Sequence, residues 1–197
     1  MIKRIFDIVF SLFGLLILSP IFLAVVILIK REDGGPIYYM GSRIGKSGVP
    51  FKMIKFRTMV LNADKIGGSS TADDDPRITK IGKLLRKFKL DEIPQLINVL
   101  RGEMSFVGPR PEVAYYVNMF SAEEKNILSV KPGITDWASL WNSDEGAILA
   151  GSTDPEKAYM EKIRPEKIRL QLQYVRKHNF LIDLKIITLT LLKIVKR

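Results

Sequence analysis

The chain has 197 residues, room for one domain with a real core, and no internal repeat or low-complexity tract. Its 31 Lys and Arg against 21 Asp and Glu give a formal net charge of +10, which favours anionic partners such as phospholipid, nucleotide or nucleic acid. Zero cysteines exclude disulfides, zinc–thiolate sites and thiol catalysis, and the one histidine, His178, reads as a solvated side chain between Lys177 and Asn179, so serine–histidine catalysis lacks its base.

The first element is a run of 22 uncharged residues between Asp7 and Lys30, long enough to cross a bilayer's hydrocarbon core. It is too long for a signal peptide, and no small-residue cleavage pattern follows it. Lys3 and Arg4 precede the run and Lys30 and Arg31 follow it, so both ends favour the same, cytoplasmic side. Ser19-Pro20 stands near its middle, where a proline removes a helix hydrogen bond and costs roughly 3 kcal/mol unless the chain bends. Ser19 can cap backbone groups freed at such a bend. The reading is therefore a re-entrant helix-break-helix over residues 1–33, entering and leaving on one face, rather than a kinked spanning helix.

From Gly34 the composition becomes turn-rich and alternating, and PIYYM, GSRIGKSGVP and FKMIKFRTM read as a β-hairpin with Pro36 at its entrance. GSRIGKS imitates a phosphate-binding loop, but it has three residues between its glycines where that motif needs four, and a strand follows. Residues 60–75 form a polar loop ending in DDDP, whose acidic run could bind metal but is expected rather to cap the next helix. That helix, PRITKIGKLLRKFK, carries Ile78, Ile81, Leu84, Leu85 and Phe88 along one stripe and its lysines and arginines mostly elsewhere. It is a basic amphipathic helix suited to anionic headgroups.

A second helix is expected over about 91–100, with Asp91 near its N-cap, Pro94 in its first turn and Gly102 past its end. At a helix N-terminus the Asp91 anion would gain roughly 0.3 to 1 kcal/mol and be ionised at neutral pH. Adjacent helical positions project about 100° apart, so Asp91 and Glu92 cannot readily share a proton and must have separate jobs or none. After them comes VGPRP, in which Pro109 and Pro111 restrict the backbone around Arg110 and suit its guanidinium to bidentate phosphate contact. A helix over 112–128, the turn KPGITDW, an irregular middle at 140–160 and a helix near 164–178 follow. Lys185 and Lys193 interrupt the last segment, FLIDLKIITLTLLKIVKR, which reads as interfacial or core-packed rather than spanning.

KRIFDI, the central SP, KFRTM, DPRITKIGKLLRKFKLDEIPQL, NVLRGEMSFVGPRP, KPGIT and DLKI occur in this order from Ile2 to Arg197. In them the chain resembles the small monotopic phosphoglycosyl transferases, bacterial sugar transferases of the cytoplasmic membrane face. The resemblance implies transfer of a sugar phosphate from a UDP-sugar to polyprenol (undecaprenyl) phosphate, releasing UMP, as the first membrane step of glycoconjugate assembly. It implies Mg²⁺ as cofactor and a re-entrant helix broken at Ser19-Pro20. By the same resemblance Asp91 matches a nucleophile that holds the phosphosugar covalently, Glu92 its partner acid, Arg110 the PRP arginine, and Arg86 and Lys55 basic positions near the phosphates. Glu92 could bind metal with Asp91 or orient the acceptor, and the sequence leaves both open.

The expected fold is α+β and mostly helical, with the membrane segment at 1–33 and a cytoplasmic-face catalytic domain at 34–197. The chain departs from the family where GITGWAQV is replaced by GITDWASLW, and residues 140–165 match little of the pattern. Three rivals remain: a non-catalytic membrane scaffold, a nucleic-acid binder, for which no reading motif is present, and a conventional glycosyl transferase acting on lipid, which would release UDP.

Overall fold

The computed structural model describes residues 1–66, 71–142 and 144–195, so part of the expected 60–75 loop and the last two residues lie outside it. The apolar run folds as two helices, α1 (Ile2–Ile17) and α2 (Ser19–Asp33), bent by 59° across Leu18. The break has a local cause. Pro20 has no N–H to offer the carbonyl four residues back, and the Ser19 hydroxyl donates to that carbonyl, Leu16 O, at 2.7 Å. Among the described residues no single helix is long and apolar enough to cross a bilayer, whereas the bent pair together has the length and composition.

The hairpin follows as expected. Strands β1 (Tyr38–Ile44) and β2 (Pro50–Phe56) pair antiparallel, Tyr38 opposite Phe56 and Ile44 opposite Pro50. GSRIGKS supplies the end of β1 and the 3₁₀ turn at Lys46–Gly48, and the chain then runs into β2 with no helix of the kind a phosphate loop needs. A short α3 (Ala63–Ile66) precedes α4 (Lys80–Lys87). The cap of α4 is Thr79, whose Oγ1 accepts from Gly82 N at 2.9 Å. The acidic run expected in that role is otherwise engaged, since Asp75 pairs with Arg77 at 2.6 Å. The apolar stripe divides: Ile78 and Leu85 are buried, while Leu84 and Phe88 are exposed beside Lys80, Lys83 and Lys87.

Helix α5 (Gln95–Arg101) ends at Gly102, whose φ of 84° lies in the left-handed region that glycine tolerates. Then come β3 (Ser105–Val107), α6 (Ala114–Asn118) and β4 (Gly133–Thr135). The single helix expected over 112–128 is interrupted after α6. Ser121 and Glu124 form a capping box, Ser121 N donating to Glu124 Oε2 at 2.8 Å and Glu124 N to Ser121 Oγ at 3.2 Å, and a new 3₁₀ segment starts there. The irregular middle contains α7 (Trp137–Trp141), α8 (Glu145–Leu149) and α9 (Pro155–Ala158), and a π-helical turn leads into α10 (Arg164–Lys177) and α11 (Phe180–Val195). The fold is mostly helical with a small antiparallel sheet, as expected, and adds a two-stranded parallel pair, β3 with β4, that the sequence reading did not include.

Three apolar clusters fix these parts. Val25 and Ile29 of α2 meet Phe56 of β2 and Leu85 of α4. Phe51 and Met53 of β2 meet Val99 of α5 and Met104. Val107 of β3 meets Tyr174 of α10 and Ile186 of α11. Each fully buried Leu, Ile or Phe contributes about 1.5 to 3 kcal/mol, so the clusters hold α5, β2 and β3 firmly together. Polar clips add direction. Arg4 of α1 donates to the C-terminal carbonyls of α5, Val99 O at 2.6 Å and Leu100 O at 2.7 Å, and Lys3 pairs with Asp183 of α11 at 2.7 Å.

Candidate active site

Asp91 and Glu92 lie in a 3₁₀ turn, Leu90–Glu92, that runs on into α5. The expected N-cap role of Asp91 is not realised: Pro94 occupies the cap position, and no side chain bonds the first N–H groups of the helix. Because the preceding turn is itself helical, the chain enters α5 without a capping carboxylate. Asp91 is left for other work.

The two acids live in different surroundings. Glu92 takes Lys55 Nζ at 2.7 Å on Oε1, and Arg110 donates to both its oxygens, to Oε2 at 3.3 Å and more closely to Oε1. Burial alone would raise its pKa, but Arg110 and Lys55 outweigh burial and hold the carboxyl well below the usual range. Asp91 is only 6% exposed, its one ion pair among the described residues is with Lys55 at 3.7 Å, and its carboxylate accepts no hydrogen bond there. Burial raises its pKa against the pull of Lys55. Asp91 is therefore the more basic and less shielded of the pair.

The cations come from three elements. Lys55 projects from β2. Arg86 lies in the last turn of α4, where its Nε donates to Thr58 Oγ1 at 3.0 Å and its charge faces Asp91, Asp73 and Asp75. Gly82, one turn earlier, makes that contact possible, because a Cβ there would stand 2.0 Å from Thr58 O. Arg110 follows β3, and parallel pairing with β4 sets Ser105 opposite Gly133 and Val107 opposite Thr135. The pairing extends through Gly108 N to Thr135 O at 3.1 Å and Gly133 N to Pro109 O at 3.0 Å. The two backbones approach so closely that a Cβ on Gly133 would lie 2.1 Å from Gly108 N. VGPRP and KPGIT are thus two sides of one contact.

A model of a family described as bacterial sugar transferase matches residues 1–197. The chain belongs to the bacterial sugar transferases. This sugar transferase is 36% identical over 204 residues to the exopolysaccharide production protein ExoY of Sinorhizobium fredii, covering 96% of this chain and 83% of that one. It is 37% identical over 199 residues to the UDP-glucose:undecaprenyl-phosphate glucose-1-phosphate transferase of Escherichia coli, covering 98% of this chain and 40% of that one. It is 40% identical over 142 residues to the UDP-N-acetylgalactosamine-undecaprenyl-phosphate N-acetylgalactosaminephosphotransferase of Aeromonas hydrophila, covering 71% of this chain and 34% of that one. The chain thus spans most of the first relative and well under half of the other two.

In this sugar transferase the residues read from the sequence as a site do converge: Asp91, Glu92, Lys55 and Arg110 through ion pairs, and Arg86 through its charge. Pro109 and Pro111 flank Arg110 and line a small cavity behind it. Ser19 and Pro20 belong to the helix break and not to this cluster. Sequence reasoning missed Glu145 and Asp136, which add to the negative surroundings of Arg110, and buried Lys167, which pairs with Glu145 at 3.0 Å and Glu112 at 2.8 Å. Only Asp136 had a signal, as the residue at which GITDW departs from the family pattern.

Proposed function

We propose that the protein transfers a sugar 1-phosphate from a UDP-sugar to undecaprenyl phosphate at the cytoplasmic face of the bacterial membrane, through a covalent phosphosugar on Asp91. The observation that carries this reading is the asymmetry of the acid pair: Glu92 is held by Arg110 and Lys55, while Asp91 is buried and, among the described residues, accepts no hydrogen bond. A carboxylate without donors keeps its electron density and is the better nucleophile. The reaction has two displacements. An Asp91 oxygen bonds to the β-phosphorus while the bond from that phosphorus to the bridging oxygen breaks, and the electron pair leaves with UMP. An oxygen of undecaprenyl phosphate then attacks the same phosphorus, and the Asp91 carboxylate is restored.

An anion attacking a pyrophosphate is repelled, and each close like-charge pair in a partly dry site opposes it by about 4 kcal/mol. Arg86, Arg110 and Lys55 offset that repulsion, the arginines with a planar fork that fits phosphate oxygens. Mg²⁺ suits the donor set, since it binds through one or two carboxylates together with substrate phosphates, and Asp91 and Glu92 would hold it. Bound there, it would neutralise pyrophosphate charge. Among the described residues no group of three or more His, Cys, Asp or Glu side chains is placed to hold a metal ion.

The membrane part of the reading rests on inverted helix faces. Asp7 and Ser11 of α1 are buried while Leu12, Phe13, Leu16 and Ile17 are exposed, the reverse of a helix on a water-soluble protein. Exposed Leu84 and Phe88 beside Lys80, Lys83 and Lys87 suit α4 to an anionic lipid surface.

The test is the nucleotide released. Mixed with UDP-sugar and Mg²⁺ but no lipid acceptor, the enzyme should release UMP in an amount no greater than the enzyme present, and intact-mass analysis should find a sugar-phosphate adduct. UDP as product, or UMP only when acceptor is present and with no adduct after rapid quench, would overturn the covalent route.

A further inference from the structure

Arg110 is the one residue of the PRP triplet with a backbone N–H, because proline has none. That N–H donates to Asp136 Oδ2 at 3.3 Å, and the Arg110 carbonyl accepts from Gln171 Nε2 at 3.4 Å. Gln171 Nε2 also lies 3.3 Å from the same Asp136 oxygen. Asp136 is 0% and Gln171 1% exposed, so both backbone handles of the arginine are held by buried side chains, one at the start of α7 and one within α10.

The two oxygens of Asp136 have different tasks. Oδ1 caps α7, accepting from Ser139 N and Ser139 Oγ at 2.7 Å each. Capping needs one oxygen, and Asn or Ser would cap as well without burying a charge. Oδ2 is turned to Arg110. The two contacts on Oδ2 and the one from Gln171 to the Arg110 carbonyl are long for hydrogen bonds, so they add little to stability; they bear on the arginine's backbone, while its guanidinium rests on Glu92. Direction is what a forked guanidinium requires, since bidentate contact with a phosphate depends on the plane in which the fork lies.

We propose that Asp136, together with Gln171, is a positioning residue that aims the Arg110 guanidinium at the phosphates of the UDP-sugar; this rests on the phosphate role given to Arg110 above. The β3–β4 pairing makes the arrangement possible, because it sets Arg110 and Asp136 just beyond two strands in fixed register. Through α7 and α10 the clamp links the phosphate-binding residue to the part of the chain that departs from the family pattern. The negative charge of Asp136 also reaches the guanidinium itself.

Asp136→Asn separates the two tasks. Its Oδ1 can still cap α7, but its Nδ2 then confronts two donors, Arg110 N and Gln171 Nε2. The melting temperature should stay within about 4 °C of the parent, while kcat/KM for the UDP-sugar, read as UMP released, falls about 10- to 100-fold, the scale set by a misplaced positioning group. Gln171→Leu should give a smaller loss in the same direction. The deciding comparison repeats Asp136→Asn in an Arg110→Ala background, using single-turnover UMP release at high enzyme concentration. If Asp136 acts through the arginine, the second substitution costs no more than about twofold there. An equal loss in both backgrounds, or no loss in the parent, overturns the clamp and leaves the role of Arg110 standing. Full activity of Arg110→Ala alone removes the arginine from the reaction, and the phosphate role given to it above falls along with the clamp.

Discussion

Two neighbouring carboxylates are driven in opposite directions by what surrounds them. Glu92 remains ionised across the working range, so it does not set the acid limb of the rate profile. Burial raises the Asp91 pKa above the ordinary carboxylate range, and the acid limb of kcat/KM should therefore lie above that range. The same shift has a stability sign. A group whose folded pKa is raised contributes fully below its unfolded pKa, and the contribution is lost as pH rises through the folded pKa. Asp91→Asn should accordingly cut turnover by at least about a thousandfold while its melting temperature matches or exceeds the parent at neutral pH. The difference in melting temperature should close as pH falls toward 4, which a thermal scan across pH would measure. The acid pair was legible in the sequence as a candidate site, but the contrast between its two surroundings was not, because that depends on Lys55 from β2 and Arg110 from beyond β3. Distant residues decided what adjacent ones do.

Among the elements, α4 shows how packing overrides propensity. Gly82 sits inside a helix, where replacement by alanine ordinarily gains about 1 kcal/mol. Here the added Cβ would stand 2.0 Å from a backbone oxygen, Thr58 O, which cannot swing aside as a side chain would. Overpacking of this kind costs about 1 to 3 kcal/mol, so the net change should be destabilising. Gly82→Ala should lower the melting temperature and, by lifting Arg86 from Thr58, reduce UMP release as well. An alanine variant with parental stability would show that α4 can move off Thr58 without loss. The sequence displayed the hairpin, the break at Ser19-Pro20 and α10 plainly, because each depends on neighbours within a few residues. It misassigned the cap of α4 and ran a single helix through 112–128, where the Ser121–Glu124 box competes with continued helix. Local rules at both places offered two answers, and tertiary contacts chose between them.

At the scale of the whole molecule, the bent pair α1–α2 leaves the protein with an apolar projection whose polar side is turned inward. Since the chain has no cysteine, single cysteines placed at Ile2 and Gly35 are clean reporters of side. Both should react with a membrane-impermeant thiol reagent from the cytoplasmic face. Opposite-side labelling would replace the hairpin with a spanning helix. Pro20→Ala restores the missing N–H and should move a fraction of molecules toward the spanning form, read as altered labelling of Ile2→Cys.

Lys3 binds Asp183 at 2.7 Å, Tyr174 Oη at 2.9 Å and Val107 O at 2.8 Å, which ties the first turn of the chain to its last helix and to the strand ahead of Arg110. This tie joins segments at opposite ends of the described residues. The lysine of α1 finds its carboxylate 180 residues away. Closure over so long a loop is slow, so the junction of α1 with α11 and the strand ahead of Arg110 is expected late in folding. On the proposed membrane reading, the exposed faces of α4 and α11 meet lipid rather than bulk water once this closure is made.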